Sequence, residues 1–84
     1  MKKVALVAGA SSGMGKSVAI ILHSKGYTVY GAARRLEAMI DLQQKGIGAI
    51  LLDLTNDESI VNAAKTIKEK EGRIDILINN AGYG

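Results

Sequence analysis

"VAGASSGMGKS", residues 7–17, is the stretch on which the fold and its ligand both turn, because two phosphate-binding loops can be read from it. Read as Gly9-x-x-x-Gly13-x-Gly15, it suits a dinucleotide; read as Ala10-x-x-x-x-Gly15-Lys16-Ser17, it approaches a loop for ATP or GTP. Either loop would place backbone N–H groups at a helix N-terminus, where unsatisfied donors and the helix dipole attract phosphate. The flanking sequence has to separate them.

Working outward, apolar runs alternate with helical stripes. Residues 3–8 (KVALVA) end at Gly9 and have the pattern of a strand buried on both faces. Met14, Val18, Ile21 and Leu22 form a helical stripe over residues 14–25 that stops at Gly26, where a left-handed cap fits. Residues 27–33 (YTVYGAA) suit a second strand, and 36–45 a second helix with Leu36, Met39 and Ile40 on one face before Gly46. Residues 48–52 (GAILL) make a third strand. Thr55 with Glu58 three positions on reads as a capping box opening a third helix, lined by Ile60, Ala63, Ala64 and Ile67 and ended by Gly72. A fourth strand, IDILIN, spans 74–79.

The order βαβαβαβ predicts an α/β fold with parallel strands and right-handed crossovers. We expect a Rossmann-like three-layer αβα arrangement, its four strands in the order 3-2-1-4, forming an incomplete half of a doubly wound fold. Residues 1–84 would be the N-terminal part of one dinucleotide-binding domain, with no linker or repeat. Strand four then forms an edge that is apolar and guarded only by Asp75. Two explanations stay open: the chain is unfinished there, or the strand pairs with another copy.

Composition narrows the classes. The 84 residues are 48% hydrophobic and 23% charged with no proline, as in ordinary soluble globular proteins. Without cysteine there is no disulfide framework or thiolate metal site, and a reducing, cytoplasmic setting is the natural one. The opening MKKVALVAGASSG mimics a signal peptide, but its apolar part before Gly9 is only five residues long, and nothing points to a membrane. The net charge of +3 is spread along the chain, aromatic content is 4%, and no basic block exceeds Arg34-Arg35, so nucleic acid is unsupported as a partner.

The residues that leave each strand separate the two loops. The triphosphate reading draws on Lys16 and Ser17, and on Asp53 ending an apolar strand where a metal-holding aspartate would sit. Against it, Ala10 stands where the loop needs a tight glycine turn. The glycines at 9, 13 and 15 suit the strand exit, the close approach to pyrophosphate, and the packing of helix on sheet. About 20 residues beyond such a loop a residue should meet the adenosine ribose. An acidic residue there would select NAD, but the second strand ends in Ala33-Arg34-Arg35. Cations at a helix start oppose the dipole by roughly 0.3–1 kcal/mol each. A 2′-phosphate gripped by guanidinium groups would reverse that penalty, favouring NADP over NAD.

With these residues in view, the chain resembles the N-terminal part of the short-chain dehydrogenase/reductase family: the "GASSGMG" loop, "DLT" at 53–55 and "NNAG" at 79–82 stand in that order over the full length. The resemblance implies that Gly9, Ser11, Ser12, Gly13, Met14 and Gly15 surround the pyrophosphate and adenosine ribose of the nicotinamide dinucleotide. It puts Arg34 first and Arg35 second at the 2′-phosphate. It implies that Asp53 accepts from the adenine amino group with Leu54 beside the ring, and that Asn80, Ala81 and Gly82 border the cleft on the nicotinamide side. Lys16 and Ser17 become ordinary first-turn helix residues.

Two departures matter. The family usually has threonine before the first glycine; Ala8 lacks the hydroxyl that would tie strand one to "NNAG". The family's catalytic serine and Tyr-x-x-x-Lys lie downstream of "NNAG", and none of Tyr27, Tyr30 or Tyr83 is followed by a lysine at that spacing. His23 and the helical carboxylates Glu37, Asp41, Glu69 and Glu71 are assigned no chemistry. The expected function is therefore the NADP(H)-binding segment of an oxidoreductase for alcohols or carbonyls, inactive by itself. The alternatives are a non-catalytic nucleotide-binding or dimerising module and a small P-loop ATP/GTP-binding protein.

Overall fold

The computed structural model describes residues 2–11, 13–53 and 55–79. Along the chain run β1 (Val4–Ala8), α1 (Gly13–Ser24), β2 (Thr28–Ala33), a 3₁₀ turn (Leu36–Met39) leading into α2 (Ile40–Gln44), β3 (Gly48–Leu51), α3 (Asp57–Glu71) and β4 (Ile76–Asn79). The strands form one parallel sheet in the order β3-β2-β1-β4, as the alternation of elements required. Val7 of β1 stands opposite Gly31 of β2 and Ile78 of β4.

β1 is central and buried along its whole length, which is why its sequence is apolar without alternation. Its odd-numbered side chains, Ala5 and Val7, join Val29, Ala33, Ala19, Met39 and Leu42 in a core under α1 and α2. Its even-numbered ones, Val4, Leu6 and Ala8, join Ala32, Ala63 and Ile67 in a second core under α3. Met39, Leu42 and Ile67 are fully enclosed, each worth about 1.5–3 kcal/mol relative to exposure.

Three sequence expectations are corrected. The buried face of α1 is Gly15 and Ala19 with Val18 and Leu22 partly covered, while Met14 and Ile21 point outward. The two small residues let the helix lie close to the sheet, so the face rotates toward them. In the second helical region only Met39 of the expected face is buried; the 3₁₀ turn shifts the phase, and Leu42 takes the inward position from Leu36 and Ile40. The third helix is capped by Asn56, whose Oδ1 accepts from the N–H groups of Glu58 and Ser59, and not by Thr55. Thr55 is engaged with Asp53 instead.

Asp75 clasps strand to strand. Its Oδ2 accepts from the Val4 N–H at 2.8 Å, its own N–H donates to the Val4 carbonyl at 2.8 Å, and Arg73 pairs with its Oδ1. The residue that looked like an edge guard thus joins β4 to β1. On the far side, the Tyr30 hydroxyl donates to Glu71 at the end of α3, and its ring lies across Gly48, where a Cβ would come within 2.6 Å of it.

Candidate functional site

Because the strands are parallel, Ala8, Ala33, Leu51 and Asn79 end at one rim of the sheet. From β1 the chain leaves to one face through α1, whereas from β3 it reaches β4 across the other face through α3. β1 therefore sits at the point where the winding reverses, the place beyond whose carboxyl end open α/β sheets bind their ligands.

The segment after β1 turns sharply there. Gly9 has φ 81° and Gly13 φ 37°, conformations that side-chain-bearing residues rarely adopt. The Gly9 and Ala10 N–H groups both donate to the Ala32 carbonyl, at 2.7 and 3.2 Å, fastening the turn to β2. Those two donors are spent; the ones left for an anion belong to the start of α1, where Gly13, Met14 and Gly15 lack partners within the helix. A Cβ on Gly13 would meet nothing within 4 Å, so packing does not demand this glycine. Its left-handed backbone does, and the space beside it stays open. Gly15 is buried, and Ser11 is half-buried.

Lys16 is drawn aside. Its Nζ lies 2.9 Å from Oδ2 of Asp41 on α2, and this ion pair holds the Asp41 carboxyl below the usual carboxylate range. Asp41 therefore has a structural partner 25 positions away, which no local spacing could single out.

Beyond β2 and β3, Arg34 and Asp53 line one cleft of about 540 Å³ with Leu51, Asn56, Glu58, Ser59 and Asn62. Arg34 and Arg35 are exposed, and Arg35 precedes the 3₁₀ turn in an extended conformation with no capping bond from its side chain. The Asp53 carboxyl is held below its ordinary range, first by the Thr55 hydroxyl, then by the Thr55 N–H, with the positive charge of Arg34 adding to both. Oδ1 of Asp53 takes the two Thr55 donors at 2.6 and 2.9 Å, while the Asp53 N–H donates to the Ser59 hydroxyl at 2.9 Å.

The structure thus brings together the loop glycines 9, 13 and 15 on one side of the rim and Arg34 with Asp53 on the other. Ser12, Leu54, Asn80, Ala81 and Gly82 lie outside the described residues. Two hydroxyl residues that fix Asp53, Thr55 and Ser59, were not expected at the site. Their signal was the spacing of two and six residues from an aspartate at a strand end, where side-chain-to-backbone bonds commonly organise a turn. Among the described residues no three His, Cys, Asp or Glu side chains converge as a metal site, and no helix is long and apolar enough to cross a membrane.

Comparison with known proteins fits this geometry: residues 3–84 match the model of the family described as short chain dehydrogenase. The chain belongs to that family. It is 39% identical over 82 residues to the 3-ketodihydrosphingosine reductase of Bacteroides thetaiotaomicron, covering 98% of this chain and 29% of that protein. It is 38% identical over 85 residues to the NADPH-dependent pterin aldehyde reductase of Arabidopsis thaliana, covering 95% of this chain and 35% of the relative. The crystal structure of a short-chain dehydrogenase from Streptomyces avermitilis superposes with a TM-score of 0.92 at 45% identity, over 98% of this chain and 31% of the other. The chain therefore spans about a third of the length of these short-chain dehydrogenase relatives.

Proposed function

We propose that this chain is the NADP(H)-binding N-terminal part of a short-chain dehydrogenase/reductase acting on an alcohol or carbonyl. The observation that carries this is the placement of Arg34 beside Asp53 at the mouth of one cleft, on the rim that also bears the glycine turn. In this arrangement Gly9, Ser11, Ser12, Gly13, Met14 and Gly15 enclose the pyrophosphate, and Arg34, with Arg35 behind it, meets the 2′-phosphate. Asp53 and Leu54 hold the adenine, and Asn80, Ala81 and Gly82 border the nicotinamide side.

The bound nicotinamide supplies hydride chemistry; the residues here bind and orient it. Glycine at 13 leaves space for phosphate oxygens to approach the amides at the start of α1. Arg34 opposes the charge of a 2′-phosphate, a role an acidic residue at this point could not fill. Protonation of an alkoxide requires a tyrosine with a neighbouring lysine in this family, and no Tyr-x-x-x-Lys occurs in residues 1–84, so turnover by this segment alone is expected to be nil. The name of the Arabidopsis relative, an NADPH-dependent reductase, supports the choice of cofactor. Ala10, standing where a triphosphate loop needs a tight glycine turn, speaks against that loop.

The test is Arg34→Ala. Loss of a charge-assisted contact to phosphate should weaken NADPH about tenfold or more while NADH changes little. Equal losses for both nucleotides would remove the 2′-phosphate assignment, and tight magnesium-dependent ATP binding would replace the proposal with the triphosphate one. A second reading, a non-catalytic module that pairs through β4, draws on the place of that strand at the end of the described sheet and on Leu77, which is 67% exposed. A dimer of constant mass with and without NADPH, measured by chromatography with light scattering, would favour it.

A further inference from the structure

Thr55 places both of its donors on one oxygen of Asp53. Its N–H reaches Oδ1 at 2.9 Å and its hydroxyl reaches the same Oδ1 at 2.6 Å. No described residue donates to Oδ2, and the carboxylate lies in the wall of the cleft that Arg34 shares. The backbone beneath is fixed independently: the Asp53 N–H is taken by the Ser59 hydroxyl and the Asp53 carbonyl by the Asn56 N–H at 3.0 Å. With main chain and one oxygen both held, the remaining oxygen has a single orientation.

We propose that Thr55 is a positioning residue that sets nucleobase selectivity: by occupying Oδ1 twice, it leaves Oδ2 of Asp53 as a fixed acceptor for an exocyclic amino group, so that a 6-aminopurine is taken in preference to a 6-oxopurine. This rests on the cofactor assignment above and extends it to a residue that need not touch the ligand. A carboxylate oxygen facing an N–H donor gains a charge-assisted bond, whereas facing a carbonyl oxygen it meets only repulsion. Without the hydroxyl, the carboxylate keeps one tether and can swing about its terminal torsion, which is broad for aspartate. The preference should fall while the rest of the nucleotide is held as before.

The experiment compares NADPH with its deaminated analogue, nicotinamide hypoxanthine dinucleotide phosphate, by titration against the wild-type chain, Thr55→Val and Thr55→Ser. The wild type should prefer NADPH about tenfold, the range of one hydrogen bond to a charged group. Thr55→Val, close in shape and lacking only the hydroxyl, should lose most of that preference by binding NADPH more weakly with the analogue unchanged, and Thr55→Ser should restore it. If Thr55→Val weakens both nucleotides equally, or retains the wild-type preference, Thr55 is structural only and the proposal is overturned. A wild type that binds both nucleotides alike overturns it at an earlier step, by removing the contact of Asp53 with the amino group. A wild type that binds neither removes the cofactor assignment itself, so the two failures are told apart by the wild-type titrations alone.

Discussion

Single residues at the rim carry contacts that residue type alone does not reveal. Gly31 lies mid-strand in β2, where a Cβ would sit 2.9 Å from the Ala10 Cβ and 3.3 Å from the Met39 sulfur. Alanine in a strand ordinarily gains about 0.5–1 kcal/mol over glycine, but overpacking a tight core costs about 1–3 kcal/mol. The clash wins. Gly31→Ala should therefore lower the melting temperature, by net destabilisation of about 1 kcal/mol, and a variant as stable as the wild type would show that the Ala10 turn yields freely. A glycine inside an otherwise strand-like run is a recognised sign of close backbone approach, so this residue was open to reading from sequence and its neighbour was not. Asp53 was legible because it ends a strand within "DLT". The part of Thr55 was obscured by Glu58, which stands at capping-box distance and drew the threonine into a helix start one residue too early.

Elements were read well where pattern and punctuation agree. The helices run out into Gly26, Gly46 and Gly72, all with left-handed φ of 93°, 94° and 82°, and the last of these closes α3 with a bond from its N–H to the Lys68 carbonyl. Helix phase was less legible, because small side chains are silent in a hydrophobic stripe. Gly15 and Ala19 carry α1 onto the sheet, yet larger Met14 and Ile21 dominate the written pattern while lying 72% and 52% exposed. At the start of α3, the Asn56 side chain takes the Glu58 N–H at 2.9 Å and shares the Ser59 N–H with its own carbonyl. Asn56→Ala should cost about 1 kcal/mol, and in a chain of this size that corresponds to roughly 4–8 °C in melting temperature. Asn56→Asp should show little loss, since it keeps the acceptor and adds a charge suited to the helix dipole. Equal melting of the alanine variant and the wild type would assign the cap elsewhere.

Over the whole molecule, strand order followed from the alternation of elements, because parallel pairs with right-handed crossovers leave few other arrangements. The means of closure did not follow, since nothing adjacent in sequence marks Asp75 as the partner of Val4. That clasp has a pH signature. Arg73 first, and the Val4 N–H second, hold the Asp75 carboxyl below its ordinary value of 3.8. A carboxyl lowered by folding binds more protons when unfolded, so its contribution is complete above 3.8 and is lost as pH falls through the lower folded value. Asp75→Asn should thus narrow the fall in melting temperature from neutral pH to pH about 2. An unchanged acid profile would show that the clasp is indifferent to charge. The same contact spans 71 positions of chain. At about 5–20 residues per second, a ribosome needs roughly 4–14 s to pass from one end of that interval to the other. The strand synthesised first is consequently the last to gain both neighbours, and through those seconds its apolar flank is what a chaperone on the nascent chain would meet.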